Sequence, residues 1–268
     1  TSPDTSPDTS PDTSPDTSPV VPLVPAEVQQ DAHRPPWPTV AGTDTGWRPL
    51  YRLGGIAALF ALALIPLAAA AYFLWPPPST VAGHLTLLRE QPLLGLLGLD
   101  LPMLLSTIAL LPVYLALYAA LRRVSPSFMM MALVLGLVSL TTYLTTNPAF
   151  GLLTLSEPYA TATTDAQRQV VLGAGQAIYA ISVGTAFDVS YVLAGVAALV
   201  IGTVMLRRGS AIFGRATAYA GLTMGAFGLV PATAGTVGLV CAFVSLLPTV
   251  AWLALVARDL WWLGSGPR

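Results

Sequence analysis

Two carboxylates stand at the ends of long apolar runs, where an ionisable group needs a reason to be. Asp100 directly precedes the charge-free run Leu101–Leu121, and Asp188 is the second residue of the run Phe187–Leu206. An aspartate at the centre of a membrane helix costs about 2.5–3.5 kcal/mol on insertion scales, so depth decides what each can do. Asp100 lies 22 residues before Arg122, and Asp188 lies 19 before Arg207. If both runs cross a bilayer in the same direction, both acids sit near one boundary, with Tyr191 one turn beyond Asp188. That pattern suits a proton, a metal cation or a cationic ligand, and makes Asp100, Asp188 and Tyr191 the candidate ligand-binding residues. The expected reading is plainer: Asp100 N-caps the helix that opens Leu101-Pro102, and Asp188 bonds Thr185 or a neighbouring helix.

The remaining polar groups offer less. His84, Arg89 and Glu90 share one inter-run segment, and Glu157, Asp165 and Arg168 share another. Ion pairs across the two segments are one reading, and solvated charge is the expectation. Thr141, Thr142, Thr145, Thr146 and Asn147 would line a polar vestibule if they faced inward, but threonines bonding their own helix backbone are the expectation. Cys241 has no cationic neighbour in sequence and reads as an inert core thiol. One cysteine and two histidines exclude a disulfide framework and a histidine-rich metal centre. H-E-x-x-H, G-x-S-x-G and Walker patterns are missing, and Gly173-Ala174-Gly175 lacks the strand and third glycine of a dinucleotide fingerprint. No catalytic residue, cofactor or metal is therefore expected, and no basic patch suggests nucleic acid.

These residues must be held by helices in a membrane. The 268 residues are 54% hydrophobic and 9% charged, against about 25% charged in a soluble domain, too few to cover a water-facing surface. Six runs approach the roughly 20 apolar residues that a crossing needs: Leu53–Trp75, Leu101–Leu121, Phe128–Thr146, Phe187–Leu206, Ile212–Val230 and Thr236–Val256. The fifth is the weakest, because Arg215 lies inside it and must snorkel. Pro66, Pro112 and Pro248 fall inside the first, second and sixth runs, where they are expected to kink them.

Arginine placement tests the count. With six crossings and both termini cytoplasmic, Arg34, Arg48, Arg52, Arg122, Arg123, Arg207, Arg208, Arg215, Arg258 and Arg268 lie inside, and only Arg89 and Arg168 lie outside. Trp47, Trp252, Trp261 and Trp262 then mark the inner interface and Trp75 the outer one. A seventh crossing at 169–187 would destroy the asymmetry. That stretch instead reads as an external helix over Asp165–Ser182, interfacial, re-entrant or an extension of the fourth span, with Thr164 and Gln167 at capping-box spacing. Gly221, Gly225 and Gly228, with Gly184, Gly195, Ala198 and Gly202, make small-residue faces. Ordinary packing within the chain is expected; a homo-oligomer or membrane partner through Gly221, Gly225 and Gly228 is the alternative.

Residues 1–52 form a different chain. They hold 10 of the 25 charged residues and 11 of the 24 prolines. Thr-Ser-Pro-Asp occurs four times over 1–16, and a proline in every copy prevents a continuing helix or ladder. The segment reads as a disordered cytoplasmic tail, with the transmembrane domain over 53–268. No signal peptide is expected, since the first apolar run begins at Leu53.

Several strings resemble a bacterial family of multi-pass membrane proteins. They are Asn147-Pro148-Ala149-Phe150, the loop from Leu155 to Thr164 with Gln167-Arg168, and Gly184-Thr185-Ala186-Phe187-Asp188-Val189-Ser190-Tyr191. Met205-Leu206-Arg207-Arg208, Ala216-Thr217-Ala218-Tyr219 and Ala257-Arg258-Asp259-Leu260 belong with them. Over roughly residues 50–264 the chain is similar to the domain-of-unknown-function family 4386. The resemblance implies a bacterial inner-membrane protein and carries no catalytic or ligand residues. The expectation is thus an all-α, six-span polytopic membrane helix bundle. It is read as a non-enzymatic protein binding a partner or small ligand at its outer face. The rivals are a small transporter or channel using Asp100 and Asp188, and a membrane-embedded enzyme.

Overall fold

The computed structural model describes residues 45–207 and 212–265, and among them every regular element is helical. The Thr-Ser-Pro-Asp repeats, the tail's expected disorder, Arg34, Arg208 and Arg268 lie outside the described residues. After a 3-10 turn at Thr45–Trp47, ten helices follow: α1 (Arg48–Leu74), α2 (Val81–Glu90), α3 (Pro92–Gly98), α4 (Leu101–Leu121), α5 (Pro126–Thr146), α6 (Ala149–Thr161), α7 (Asp165–Ser182), α8 (Thr185–Met205), α9 (Arg215–Gly228) and α10 (Gly235–Ser265).

Local chemistry sets the boundaries. Prolines stand in the first turns of α1, α3, α4 and α5, where a missing N–H leaves no helix bond unmade. The Pro76-Pro77-Pro78 run follows the end of α1. Asn147 separates α5 from α6, its Oδ1 accepting from the N–H of Ala149, the first residue of α6, at 3.0 Å across the N-cap Pro148. α7 opens on the anticipated capping box, with Thr164 accepting from the Gln167 N–H and Gln167 reaching back. Two ends move relative to the sequence reading. α1 starts at Arg48, so the anticipated tail boundary at 52 cuts a helix whose Tyr51 is already buried. α10 runs on to Ser265, which places Arg258 inside it rather than at its end.

Five apolar segments are long enough to cross a membrane: 48–74, 101–121, 126–161, 165–205 and 235–265. The third and fourth each join a bundle helix to a shorter companion (α5 with α6, α7 with α8). α9, the weakest sequence span, has 14 residues, about 21 Å of helix against a hydrocarbon core of about 30 Å. Arg215 is its first residue and is exposed, so it has nothing to snorkel from.

Six helices nevertheless close a ring. α1 packs on α4, α4 on α5, α5 on α8, α8 on α9, α9 on α10, and α10 returns to α1. Neighbours run antiparallel: Ser139 of α5 meets Ser190 of α8 while Ser125 before α5 meets Arg207 after α8. Arg52 at the start of α1 donates from Nε to the Gly264 carbonyl at the end of α10. The interior is built from small and branched residues, among them Ala58, Ala61, Ala116, Ala132, Ala197 and Ile201, which let helix axes approach closely.

The glycine faces belong to this packing. A Cβ on Gly195 would lie 2.9 Å from the Gly225 carbonyl oxygen, and one on Gly225 would lie 2.8 Å from that of Gly195. Gly228 faces Gly195 as well, and Gly221 receives the indole of Trp252. Gly221, Gly225 and Gly228 are therefore engaged inside the chain, not presented to a second copy. Trp252, expected at an interface, is 4% exposed in the bundle.

Four short helices, α2, α3, α6 and α7, form a cap at the end where α1, α5 and α9 finish. The cap has its own apolar cluster of Leu85, Leu88, Leu96, Leu99, Ala149 and Leu152, with Tyr159 and Ile178 against it. α7 packs chiefly on α6, and to a lesser and equal degree on α2 and on α8 that follows it, so it stands with the cap and outside the ring.

Candidate functional site at the cap end

Asp100 occupies the N-cap position of α4, yet its side chain makes no capping bond. Its φ of 61° makes it the one non-glycine residue with positive φ among those described, a conformation that aspartate tolerates better than most side chains. The capping role expected from sequence is thus corrected: in this left-handed turn the carboxylate leaves the helix start, and Pro102 in the first turn removes one N–H that needed a partner. The turn is tied down next door, where Asn147 Nδ2 donates to the Leu99 carbonyl at 3.4 Å.

Asp100 comes close enough to Tyr143 of α5 and Tyr191 of α8 for its charge to act on both phenols. Tyr143 and Tyr191 flank Phe187, with ring centroids 6.1 and 5.1 Å from it. Asp100 is an exposed residue at the rim of the bundle, and partial desolvation by the protein around it pushes its carboxyl above the ordinary value. Asp188 points elsewhere: it accepts from the Thr233 hydroxyl in the turn between α9 and α10. Neither Thr185 nor Asp100 is its partner. Asp100 thus lies within electrostatic reach of Tyr191 and of Tyr143, while Asp188, one turn before Tyr191 and about 60° round α8 from it, is taken up by Thr233.

A second arrangement lies wholly in the cap. A groove of about 260 Å³ is lined by Leu85, Thr86, Arg89 and Glu90 of α2, Tyr159 of α6 and Arg168 of α7. Arg89 pairs with Glu157 at 2.6 Å, with both side chains more than half exposed, so the expected solvated charges here form a pair between α2 and α6. Arg168 lies over the Tyr159 ring at 5.9 Å.

His84, expected as a loop charge, is 3% exposed and stacks on Tyr179 of α7 with centroids 5.8 Å apart. Its Nδ1 is buried without a hydrogen-bond partner. Burial lowers its affinity for a proton, and a bond to the Pro78 backbone offsets this in part.

At the opposite end stand Arg48, Arg52, Arg122, Arg123, Arg207, Arg215 and Arg258. Arg122 lies 4.8 Å over the Trp47 ring and Arg207 lies 4.9 Å over Phe128. Asp259 is the buried acid there, accepting from Thr217 Oγ1 at 2.9 Å and from the Arg258 guanidinium at 2.8–2.9 Å. The threonines bond as expected: Thr141, Thr142, Thr145 and Thr146 each donate to a carbonyl of their own helix and line no vestibule. Among the described residues no group of three His, Cys, Asp or Glu could hold a metal. Comparison of the chain with family models, curated proteins and solved structures finds no match.

Tyr143, Tyr159 and Tyr179 escaped the sequence reading, and the Arg89–Glu157 pair was there only the second choice to solvated charge. The signal that would have found the last three was Thr80 before Val81, an N-cap whose side chain accepts from the Gly83 N–H. It marks α2, and with it a folded cap where loops were expected.

Proposed function

We propose that this is a non-enzymatic protein of the bacterial cytoplasmic membrane, binding a partner or small ligand through the cap on its outer face. In this reading the chain crosses six times with both termini inside, and the resemblance stated above supplies the bacterial membrane. The carrying observation is the cap itself. A bundle that only spans a bilayer does not need four further helices, a separate apolar cluster and a charged groove at one end.

The arginine end supports the orientation, since arginines concentrate on the cytoplasmic side. Exposed Tyr72, Phe73 and Trp75 at the end of α1 suit the outer interface, as Trp261 and Trp262 suit the inner one. α9 serves as the short crossing because its non-helical exit is internally bonded. Leu229, Val230, Ala234 and Gly235 all donate to carbonyls within 226–233, which lets irregular backbone persist at membrane depth. A photocrosslinker at exposed Thr161 tests the binding role: the expected result is a defined protein or small-molecule adduct. Lipid and self adducts alone would count against it.

A second reading, a small secondary transporter or channel, is favoured by Asp100, whose charge acts on Tyr143 and Tyr191 and which has no ion pair among the described residues. In that case Asp100→Asn abolishes cation-coupled uptake in proteoliposomes. Wild-type uptake in that variant removes it. Asp188, held by Thr233, is no longer its first choice.

A further inference from the structure

We propose that the groove between α2, α6 and α7 binds a small zwitterion, its anionic group on Arg168 and its ammonium group on Glu90. The proposal rests on the cap-face reading and narrows it to a ligand class. Size sets the first limit. At about 260 Å³ the groove is below the roughly 300–1,000 Å³ of sites for larger ligands, so it suits a small free molecule or a lipid headgroup.

Charge sets the second. Arg89 is neutralised by Glu157. Among the described residues Glu90 and Arg168 have no salt-bridge partner, and the Tyr159 ring leaves the Arg168 guanidinium donors free. The free charges in the lining are thus one of each sign on different helices, too far apart to pair directly. A dianion placed here meets Glu90, and a dication meets Arg168; only a molecule carrying both charges satisfies both. The Tyr159 ring and Ala160 give an apolar wall for the carbon linker between the two groups. Arg168 is the natural anion partner, since a guanidinium offers a planar pair of donors to a carboxylate or phosphate. Because both charged walls are solvent-exposed, the dissociation constant is on the order of 0.1–1 mM.

The test uses the full chain in a non-ionic maltoside detergent. Calorimetric titration with β-alanine and with glycerophosphoethanolamine should give saturable binding, at least tenfold tighter than glutarate or putrescine. Glu90→Gln and Arg168→Gln should each weaken it about tenfold with helix content unchanged. The exchanged pair Glu90→Arg with Arg168→Glu should recover binding, because a zwitterion can turn around. Native mass spectrometry supplies the other source. Retained phosphatidylethanolamine that the single variants lose, with no binding of free β-alanine, assigns the site to a headgroup and supports the proposal. Glutarate binding as tightly as the zwitterions overturns it. So does an absence of zwitterion binding combined with equal lipid retention in all variants. If that happens while Thr161 still crosslinks a defined adduct, the zwitterion falls and the cap-face reading stands.

Discussion

Asp100 combines a left-handed backbone with no capping bond in return, and although the residue is exposed, the protein around it raises the affinity of its carboxyl for a proton. Its raised proton affinity means the folded chain binds its proton more tightly than the unfolded chain. Stability from this residue is therefore greatest at low pH and declines as pH rises from the ordinary value of 3.8 through the raised one. Asn is equally at home in this turn and carries no charge. Asp100→Asn should thus melt higher than wild type at pH 7 in detergent, with the difference vanishing at pH 3; an equal or lower melting temperature at pH 7 would refute the assignment. Asp259 is the opposite case, a buried acid with its partners in place. Thr217→Val deletes one of them and should cost about 1–3 kcal/mol, read by denaturant unfolding. Which residues were polar at span ends was legible in the sequence. Their partners were not, because Asp100 turns on a single φ angle and Asp188 on a threonine 45 residues away.

At the scale of elements, long apolar runs announced themselves: α4 coincides with its sequence span, and α5 and α8 differ from theirs by one or two residues at the ends. The capping box placed α7 equally well. The cap helices α2, α3 and α6 were missed because they are short and their apolar faces are buried against each other, a tertiary fact that no single run displays. Two predictions belong here. His84 stays neutral in the folded cap, so the unfolded chain takes up its proton first as pH falls below 6.5. The cap should loosen on acidification, seen as faster proteolysis at the α2–α3 and α6–α7 joints at pH 5 than at pH 7.5, against the change in an unfolded control peptide. His84→Phe should abolish that extra sensitivity, and its persistence would refute the role. Gly225→Val forces a side chain toward the Gly195 carbonyl and should cost about 1–3 kcal/mol by overpacking. An unchanged midpoint on denaturant titration would show that the α8–α9 seam is looser than described.

The described residues from 45 to 265 form a ring of six antiparallel helices with arginines at one end and a folded cap at the other. Composition alone indicated the membrane, and the arginines indicated which ends of the helices belong together. What they could not indicate is how a helix of 14 residues completes the ring. That depends on the glycine seam and on a turn whose backbone bonds itself. Binding at the cap from outside the cell requires that the cap face outward and that α9 cross. Single cysteines at Thr161, Gly214 and Ala234 in a Cys241→Ala background, labelled in intact cells with an impermeant maleimide, read both at once. Thr161 and Ala234 should label from outside, and Gly214 only after permeabilisation. Labelling of Gly214 in intact cells, or protection of Ala234, would contradict the six-crossing, cap-outward account.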